Sequence, residues 1–337
     1  MNNPPRLRFA NLPTPIEALP RLTNALGGPQ IWVKRDDLTG LAFGGNKTRK
    51  LEFLLAEAQA NGARTLITGG AGQSNHCRQT AAAAARFGFE CILVLARDPD
   101  SPTSIIDLTN TTKFTGNLLL DSLLGVEIVW TTMEARDHVL KETFEKAWET
   151  GRRPYLIPYG GSNPTGAVGY VFAIQEMLEQ LVGERIPDWI VFASSSGGTQ
   201  AGLVVGARLN GYRGRILGIS VDEPVDILCD GVARLATATA DHLGESVTFT
   251  PEDILVNADY LGEGYGILGQ PELDAIRLFA QKEGLLLDPV YTGRAAAGMI
   301  DLIHKGFFSK DQMVLFWHSG GTPALFAERY QAVGYPR

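Results

Sequence analysis

The sequence predicts an α/β protein built on parallel sheets. Short apolar runs alternate with longer stretches of helical period, and the strand candidates are residues 31–33, 65–68, 91–95, 189–193, 216–221 and 314–317. Strands separated by helices are the pattern of βαβ units, whose strands pair in parallel. The length of 337 residues exceeds the usual size of one hydrophobic core, which favours two domains or one large α/β unit.

Two stretches interrupt this alternation. Residues 97–115 contain few apolar side chains, and we predict an irregular surface excursion there. Residues 224–253 are weakly patterned, and we predict a helix with loops on either side. Neither stretch carries a motif that indicates chemistry.

Composition and charge narrow the class of protein. Apolar residues make up 45% of the chain and charged residues 20%, which is typical of a globular protein. The formal net charge of −7 argues against nucleic acid and anionic membranes as partners, so a small molecule is the expected ligand. The first residues lack the apolar core of a signal peptide, and no stretch reaches the ~20 apolar residues of a membrane span. The expected location is the cytoplasm.

Several familiar sites are not predicted. The three cysteines, Cys77, Cys91 and Cys229, lie far apart without a C-x-x-C pair, which argues against a disulfide framework and a structural zinc site. The histidines show no metal-ligand spacing, and no G-x-S-x-G elbow marks a serine hydrolase. Asp36 and Asp37 are adjacent, and we expect them to pair with Lys34 or Arg35.

Lys47 lies at the start of a predicted helix. The apolar residues that follow have the spacing i, i+3, i+4, i+7 of one buried stripe: Leu51, Leu54, Leu55 and Ala58. With Asn46 as the N-cap, the positive end of the helix dipole disfavours an ammonium group, and a neutral amine is what Schiff-base formation requires. The alternative is that the basic residues of this run form a solvated face.

A glycine-rich loop at residues 69–75 follows the second predicted strand. The helix start after it is an anion site, where backbone amides and the Ser74 hydroxyl could hold a substrate carboxylate and Asn75 could reach a cofactor oxygen. The alternative is a glycine turn with Ser74 or Asn75 as an N-cap. His76 and Cys77 are predicted to be packing residues.

A third loop at residues 194–200 has the character of a phosphate cup. Gly197 and Gly198 allow close approach of the backbone, and Thr199 adds a hydroxyl. The loop matches neither the P-loop nor the dinucleotide motif, so a monophosphate fits better, although a structural turn is the alternative.

Tyr265 and Tyr291, in later glycine-rich turns, are candidates for ligand contact or ordinary half-buried aromatics.

Several motifs in one order resemble a known family. They are residues 33–40 (VKRDDLTG), 44–50 (GGNKTRK), 73–76 (QSNH), 159–163 (YGGSN) and 288–291 (DPVY), spread between about residues 13 and 326. The chain resembles the D-cysteine desulfhydrase and 1-aminocyclopropane-1-carboxylate (ACC) deaminase family of pyridoxal-phosphate enzymes. The resemblance implies two domains with open twisted parallel sheets, as in the tryptophan synthase β subunit (fold type II), and a homodimer. Residues 1–50 and 165–337 would form the large cofactor-binding domain and residues 51–164 a small inserted α/β domain.

The resemblance also implies a set of site residues. It makes Lys47 the Schiff-base lysine, and the catalytic residues are Lys47, Ser74, Tyr265 and Tyr291. Cofactor contacts are expected from Lys47, Asn75, Ser196, Gly197, Gly198, Thr199, Tyr265, Thr292 and Ser319. Substrate contacts are expected from Gln73, Ser74, Asn75 and Ser162. No metal is expected.

Two positions separate the branches of this family. The deaminase branch has glutamate where this chain has Thr292 and leucine where it has Ser319. A hydroxyl beside the ring nitrogen leaves the ring more nearly neutral than a carboxylate would, which favours β-elimination over opening of a cyclopropane. The resemblance therefore implies D-cysteine as substrate, with L-cysteate and ACC as alternatives. A non-catalytic phosphate-ligand binding protein and a nucleotide-dependent enzyme are alternatives from other classes.

Overall fold

A computed structural model of the chain describes residues 3–97 and 114–334. The strands in this part are β1 Ile16–Ala18, β2 Gln30–Arg35, β3 Thr65–Ala71, β4 Glu90–Ala96, β5 Glu127–Thr131, β6 Pro154–Leu156, β7 Trp189–Ser194, β8 Arg215–Ser220, β9 Leu255–Asn257 and β10 Met313–His318. The helices are α1 Pro20–Leu26, α2 Asn46–Ala60, α3 Asn75–Phe87, α4 Gly116–Leu123, α5 Arg136–Glu149, α6 Pro164–Gln180, α7 Gly198–Asn210, α8 Val225–His242, α9 Gln270–Glu283 and α10 Thr292–His304. The surface excursion predicted for 97–115 lies almost wholly outside the described residues.

The larger sheet has the strand order β1-β2-β10-β7-β8-β9. Its pairings are parallel except for the antiparallel edge pair of β1 with β2. Residues of β7 and β10 are buried throughout, as expected for parallel strands covered by helices on both faces. The alternation along β10 divides the core, because Leu315 and Trp317 pack with residues of α6, α7 and α8, whereas Val314 and Phe316 pack with residues of α9 and α10.

The smaller sheet has the order β5-β4-β3-β6, and all its pairings are parallel. The apolar face of α3 packs against it, with Ala81, Leu66 and Leu93 in one buried cluster. The predicted α/β fold with two open parallel sheets is therefore confirmed. The four strands of this sheet fall within the predicted inserted domain, but α2 runs across its predicted start at residue 51, and the exact domain limits stay a prediction.

The sequence identified the central strands and missed edge strands. The six predicted strands correspond to β2, β3, β4, β7, β8 and β10, while β1, β5, β6 and β9 carry too few buried apolar residues to stand out. The weak pattern at 224–253 contains α8, as predicted, followed by residues without regular structure to 250. No helix among the described residues is long and apolar enough to cross a membrane.

Candidate active site

The loops after β3, β7 and β10 and the start of α2 surround a cleft that encloses about 590 Å³, including space open to solvent. Eight of the residues predicted from the sequence line it: Lys47, Ser74, Asn75, Ser196, Gly197, Thr199, Tyr291 and Ser319. The other five predicted residues are not part of this lining: Gln73, Ser162, Gly198, Tyr265 and Thr292. The cleft lies where ligands bind in open α/β sheets, outside the carboxyl ends of the strands.

Lys47 is the second residue of α2, as the helical pattern predicted. The predicted N-cap is wrong by one residue, because Gly45 occupies that position with φ +126°, a conformation that favours glycine. Asn46 instead joins two walls of the cleft. Its backbone N–H donates to Ser319 O at 2.9 Å, and its side-chain Nδ2 donates to Thr199 Oγ1 at 3.1 Å.

The environment of the Lys47 amine favours its neutral form. Its Nζ forms no hydrogen bond with any residue that the structure describes, and its side chain lies partly exposed in the cleft. Loss of hydration lowers the pKa of Lys47 to about 8, and the negative charge of Asp222 opposes this shift. With this pKa, roughly a tenth of the amine is neutral at pH 7, far more than for an ordinary lysine.

The phosphate cup forms at the start of α7. Gly197 precedes the helix with φ +78°, and the Gly198 N–H donates to Ser162 Oγ at 3.2 Å. Ser162 Oγ and Ser196 Oγ share a hydrogen bond of 2.8 Å. These groups, with the helix dipole, fit an anion that accepts several hydrogen bonds.

Lys50 completes this cup, and the sequence reasoning missed it. Its side chain is 1% exposed, and Nζ donates to Gly160 O at 3.0 Å. A Cβ placed on Gly198 would lie 2.8 Å from Lys50 Nζ and 2.5 Å from Ser162 Oγ, so only glycine allows these two groups to pack directly against the start of α7. Burial lowers the pKa of Lys50 well below its usual value, and an anion in the cup would oppose that effect. The signal was available, because Lys50 is three residues after Lys47 and shares its helix face.

The helix start at α3 forms another wall. Ser74 is the N-cap, and its Oγ accepts the Cys77 N–H at 3.2 Å. Asn75 Oδ1 accepts from Asn117 Nδ2 at 2.9 Å, which fixes the amide in the cleft. Gln73 turns away, because its side chain bonds Thr115 O at 3.0 Å and the Asn117 N–H at 2.8 Å. This placement does not support the predicted substrate contact of Gln73.

Tyrosines form one side of the cleft. The hydroxyls of Tyr265 and Tyr291 are hydrogen-bonded to each other, and their rings meet edge to face at 5.9 Å. Tyr159, which the site prediction omitted although it belongs to the motif at 159–163, also lines the cleft. Burial raises the pKa of all three phenols, so they are neutral hydrogen-bond donors.

Thr292 and Ser319 have different environments. Thr292 is fully buried, and its Oγ1 donates to Asp288 Oδ1 at 2.7 Å while accepting the Asp288 N–H at 2.8 Å. These bonds hold the turn before α10, and the predicted cofactor contact of Thr292 stays a prediction. Ser319 lines the cleft, and its hydroxyl forms no hydrogen bond within the described part of the chain.

His76 is buried, as expected of a packing residue, and it also lines the cleft beside Asn75. Its Nε2 shares a hydrogen bond of 2.9 Å with Thr68 Oγ1. Burial lowers the pKa of His76 well below its usual value, so the ring is neutral. Cys77 is a core residue as predicted. Residues 3–97 and 114–334 contain no group of three or more His, Cys, Asp or Glu side chains that could hold a metal ion.

Comparison with known proteins agrees with this geometry. Residues 7–320 match the family of pyridoxal-phosphate dependent enzymes. A solved structure described as the crystal structure analysis of an ACC deaminase homologue superposes with a TM-score of 0.85 at 35% identity, covering 98% of this chain and 97% of that one. The residues present fit the cofactor, because the Lys47 amine, which has no hydrogen-bond partner among the described residues, lies in the same cleft as the cup of Ser196, Gly197 and Thr199 at the start of α7. The chain belongs to the family of pyridoxal-phosphate dependent enzymes.

Proposed function

We propose that this enzyme catalyses β-elimination on a small amino acid, with D-cysteine as the foremost substrate. The overall reaction takes D-cysteine and water to pyruvate, hydrogen sulfide and ammonia. The observation that carries the proposal is the cleft lining, in which the described residues supply a free lysine amine, hydroxyls and amides but no carboxylate. A ring nitrogen that meets Ser319 rather than a carboxylate is held less strongly in its protonated form.

The proposed cofactor-holding residues lie on three elements. Lys47 would bind the aldehyde carbon, Asn75 the ring hydroxyl, and the cup of Ser196, Gly197 and Thr199 the phosphate, with Lys50 neutralising its charge. Pyridoxal phosphate, when bound, supplies an aldehyde that condenses with amines and a ring that takes up the electrons released at the substrate's α-carbon.

The chain's own groups then bind the substrate and move the proton. Ser74 and the backbone amides at the start of α3 would hold the substrate carboxylate, because a helix N-terminus favours negative charge. Lys47 Nζ would take the proton from the α-carbon, since a pKa of about 8 lies close to the working pH of a general base. Tyr291 and Tyr265, as neutral donors, would hydrogen-bond the leaving group.

Two other substrates are alternatives within the same chemistry. ACC is one, because the solved structure of an ACC deaminase homologue is similar to this chain, and L-cysteate is the other. Release of pyruvate or 2-oxobutyrate from D-cysteine, L-cysteate and ACC, measured side by side, distinguishes them. We expect the highest kcat/KM with D-cysteine, and reaction with ACC alone would contradict the argument from Ser319.

The cofactor role of Lys47 has its own test. The purified protein should absorb at about 410–430 nm, and borohydride should remove this band. Lys47→Ala should lack the band and lose activity by about 10²–10⁴-fold. The matched control is Lys141→Ala, which removes an exposed lysine of α5 and should keep both. A colourless protein that binds phosphate ligands without reaction would instead support a non-catalytic binding protein.

We also propose that the enzyme is a cytoplasmic homodimer, as the family resemblance implies. Sedimentation of the full chain measures the assembly directly. A mass of twice that of one chain at micromolar concentration is expected, and a monomer under the same conditions would contradict the proposal.

A further inference from the structure

A buried arginine that the proposed reaction does not use lies behind the cleft wall formed by α3. Arg78 is fully buried, and its guanidinium forms no ion pair within residues 3–97 and 114–334. It donates instead to three neutral oxygens: Asn117 Oδ1 at 2.8 Å, Gly44 O at 3.1 Å and Ala42 O. A buried charge without a paired carboxylate is costly, so its retention here calls for a physical reason.

The guanidinium of Arg78 is held in one orientation. Residues 41–43 adopt left-handed backbone angles, with φ of 54°, 52° and 69°, and the carbonyl oxygens of Ala42 and Gly44 accept from the two terminal nitrogens. Residues with a side chain rarely adopt such angles, so the bonds from the arginine help to hold this segment. The remaining donor, Nε, is thereby directed at Asn117 on α4.

The direction of two amides follows from this donor. Arginine has no acceptor, so the oxygen of the Asn117 amide must face Nε of Arg78 and its nitrogen must face away. That nitrogen, Nδ2, donates to Gln73 O and to Asn75 Oδ1, both at 2.9 Å. The oxygen of the Asn75 amide is occupied in this way, and its nitrogen is left for the cleft.

The nitrogen of the Asn75 amide faces the place of a ligand. Asn75 lines the cleft, and Nδ2 forms no hydrogen bond with any residue that the structure describes. A Cβ placed on Gly321 would lie 2.9 Å from this nitrogen, so Nδ2 is directed at the loop after β10, which carries Ser319 of the cleft. An N–H donor at this position suits a ring oxygen with negative charge, whereas an amide oxygen would repel it.

We propose that Arg78 and Asn117 are positioning residues that fix the Asn75 amide with its nitrogen toward the ring oxygen of the cofactor. The inference rests on the proposed cofactor contact of Asn75, and it adds the residues that set the direction of that contact. Arg78 and Asn117 are not part of the cleft lining, so they act through Asn75. Without Arg78, the Asn117 amide is free to turn, and Asn75 then presents its oxygen in part of the molecules.

The test measures binding of pyridoxal phosphate and needs no turnover. The full chain, freed of cofactor with hydroxylamine, is titrated with pyridoxal phosphate, and the band at about 410–430 nm gives the Kd. Asn117→Asp keeps an oxygen toward Arg78 but replaces the nitrogen that faces Asn75, so Asn75 must meet it with its own nitrogen. We expect the Kd to rise about tenfold, as for loss of one hydrogen bond to a charged group. The absorbance should move to shorter wavelength, because the negative charge of the ring oxygen loses its donor.

A double-mutant cycle separates positioning from a general loss of structure. In an Asn75→Ala protein, Asn117→Asp should raise the Kd no further, because the amide that it turns is gone. The matched control is Asn61→Asp, which makes the same change at the exposed end of α2 and should leave the Kd and the band unchanged. Should the buried aspartate prevent folding, Asn117→Ala makes the same comparison.

Arg78→Met tests the arginine itself. It should raise the Kd by a smaller amount than Asn117→Asp, and again only while the Asn75 amide is present. Arg86→Met, on the exposed side of the same helix, should have no effect.

Three results would overturn the proposal. They are a folded Asn117→Asp protein with the wild-type Kd and band, an equal rise of the Kd with and without the Asn75 amide, and an Asn75→Ala protein that binds the cofactor like wild type. If D-cysteine does not react but the cycle shows this coupling, the proposed substrate fails and this inference stands.

Discussion

Two carboxylates of the larger sheet's loops, Asp36 and the half-buried Asp222, are held in opposite ways. Asp36 is fully buried and accepts hydrogen bonds from five donors: Arg49 Nε, one Arg49 terminal nitrogen, Thr14 Oγ1, Tyr170 Oη and Trp317 Nε1. Burial alone would raise its pKa, but the charge and hydrogen bonds of Arg49 outweigh burial and hold the pKa at about 2. Asp222 has one donor, Ser195, and burial raises its pKa to about 6.

The difference separates a carboxylate that is fully paired within the fold from one that is not. Both oxygens of Asp36 accept hydrogen bonds, so its charge helps to join the end of β2 to α2 and α6. Asp222 Oδ1 has no donor within the described residues, and the negative charge of Asp222 raises the pKa of Lys47. A perturbed pKa alone does not identify a functional residue, because structural ion-pair networks perturb pKa values as well. The hydrogen-bond and ion-pair partners of the group must also be considered.

The largest effect is expected from neutralising Asp36. Asp36→Asn leaves the buried Arg49 with Glu176 as its one ion-pair partner among the described residues, and breaking a buried pair in this way costs about 3 kcal/mol of unfolding free energy. Urea unfolding of the full chain measures the loss. The neighbouring Asp37→Asn is the matched comparison, since Asp37 pairs with Arg35 in a partly exposed position and should cost less than Asp36→Asn. Equal losses in the two variants would contradict the distinction.

The second prediction concerns the pH dependence of stability. Ionisation of Asp36 stabilises the fold, whereas ionisation of Asp222 destabilises it. The pKa of Asp36 is lower in the folded state, about 2 against 3.8, so its stabilisation is present above pH 3.8 and is lost as pH falls toward 2. The pKa of Asp222 is higher, about 6 against 3.8, so its ionisation destabilises the fold as pH rises through 6. A shift of this size corresponds to about 3 kcal/mol at most.

Unfolding free energies of Asp222→Asn and wild type, compared across pH, test this sign. The variant should be the more stable protein above pH 6, by up to about 3 kcal/mol, and the two should converge below pH 4. A variant that is less stable at pH 8 would show that the ionised carboxylate is paired like Asp36. Asp226→Asn, on the exposed side of the same region, should show no such crossover.

Much of the fold could be predicted because buried parallel strands are continuous apolar runs. The strand at 314–317 stands out for this reason, whereas β9, Leu255–Asn257, is a half-buried edge strand whose existence depends on its neighbour β8. The N-cap of α2 was missed because a glycine with φ +126° is chosen by tertiary contacts, such as the close approach of Ser319 O, rather than by local propensity.

Residues of the cleft could be predicted where a short stretch of sequence shows the local structure. Lys47 and residues 196–199 lie at helix starts, and a few residues are enough to predict a helix start. Asp222 could not be found in this way, because its partner Ser195 is 27 residues away and the two meet only when β7 pairs with β8. The partners of Thr292 could not be found either, because the sequence does not show that its hydroxyl both donates to the Asp288 carboxylate and accepts the Asp288 N–H.

The smallest effects are expected from removing the hydroxyl groups of Thr292 and Ser319. Thr292→Val removes both hydrogen bonds to Asp288 while keeping the shape, and should cost about 1–2 kcal/mol of unfolding free energy with little change in the cofactor's absorbance. Ser319→Ala should leave the unfolding free energy within about 0.5 kcal/mol but shift the absorbance and lower kcat with D-cysteine. If Thr292→Val shifts the absorbance and Ser319→Ala does not, the ring nitrogen lies beside Thr292, and the separation of a structural from a functional polar group fails at this end of the cleft.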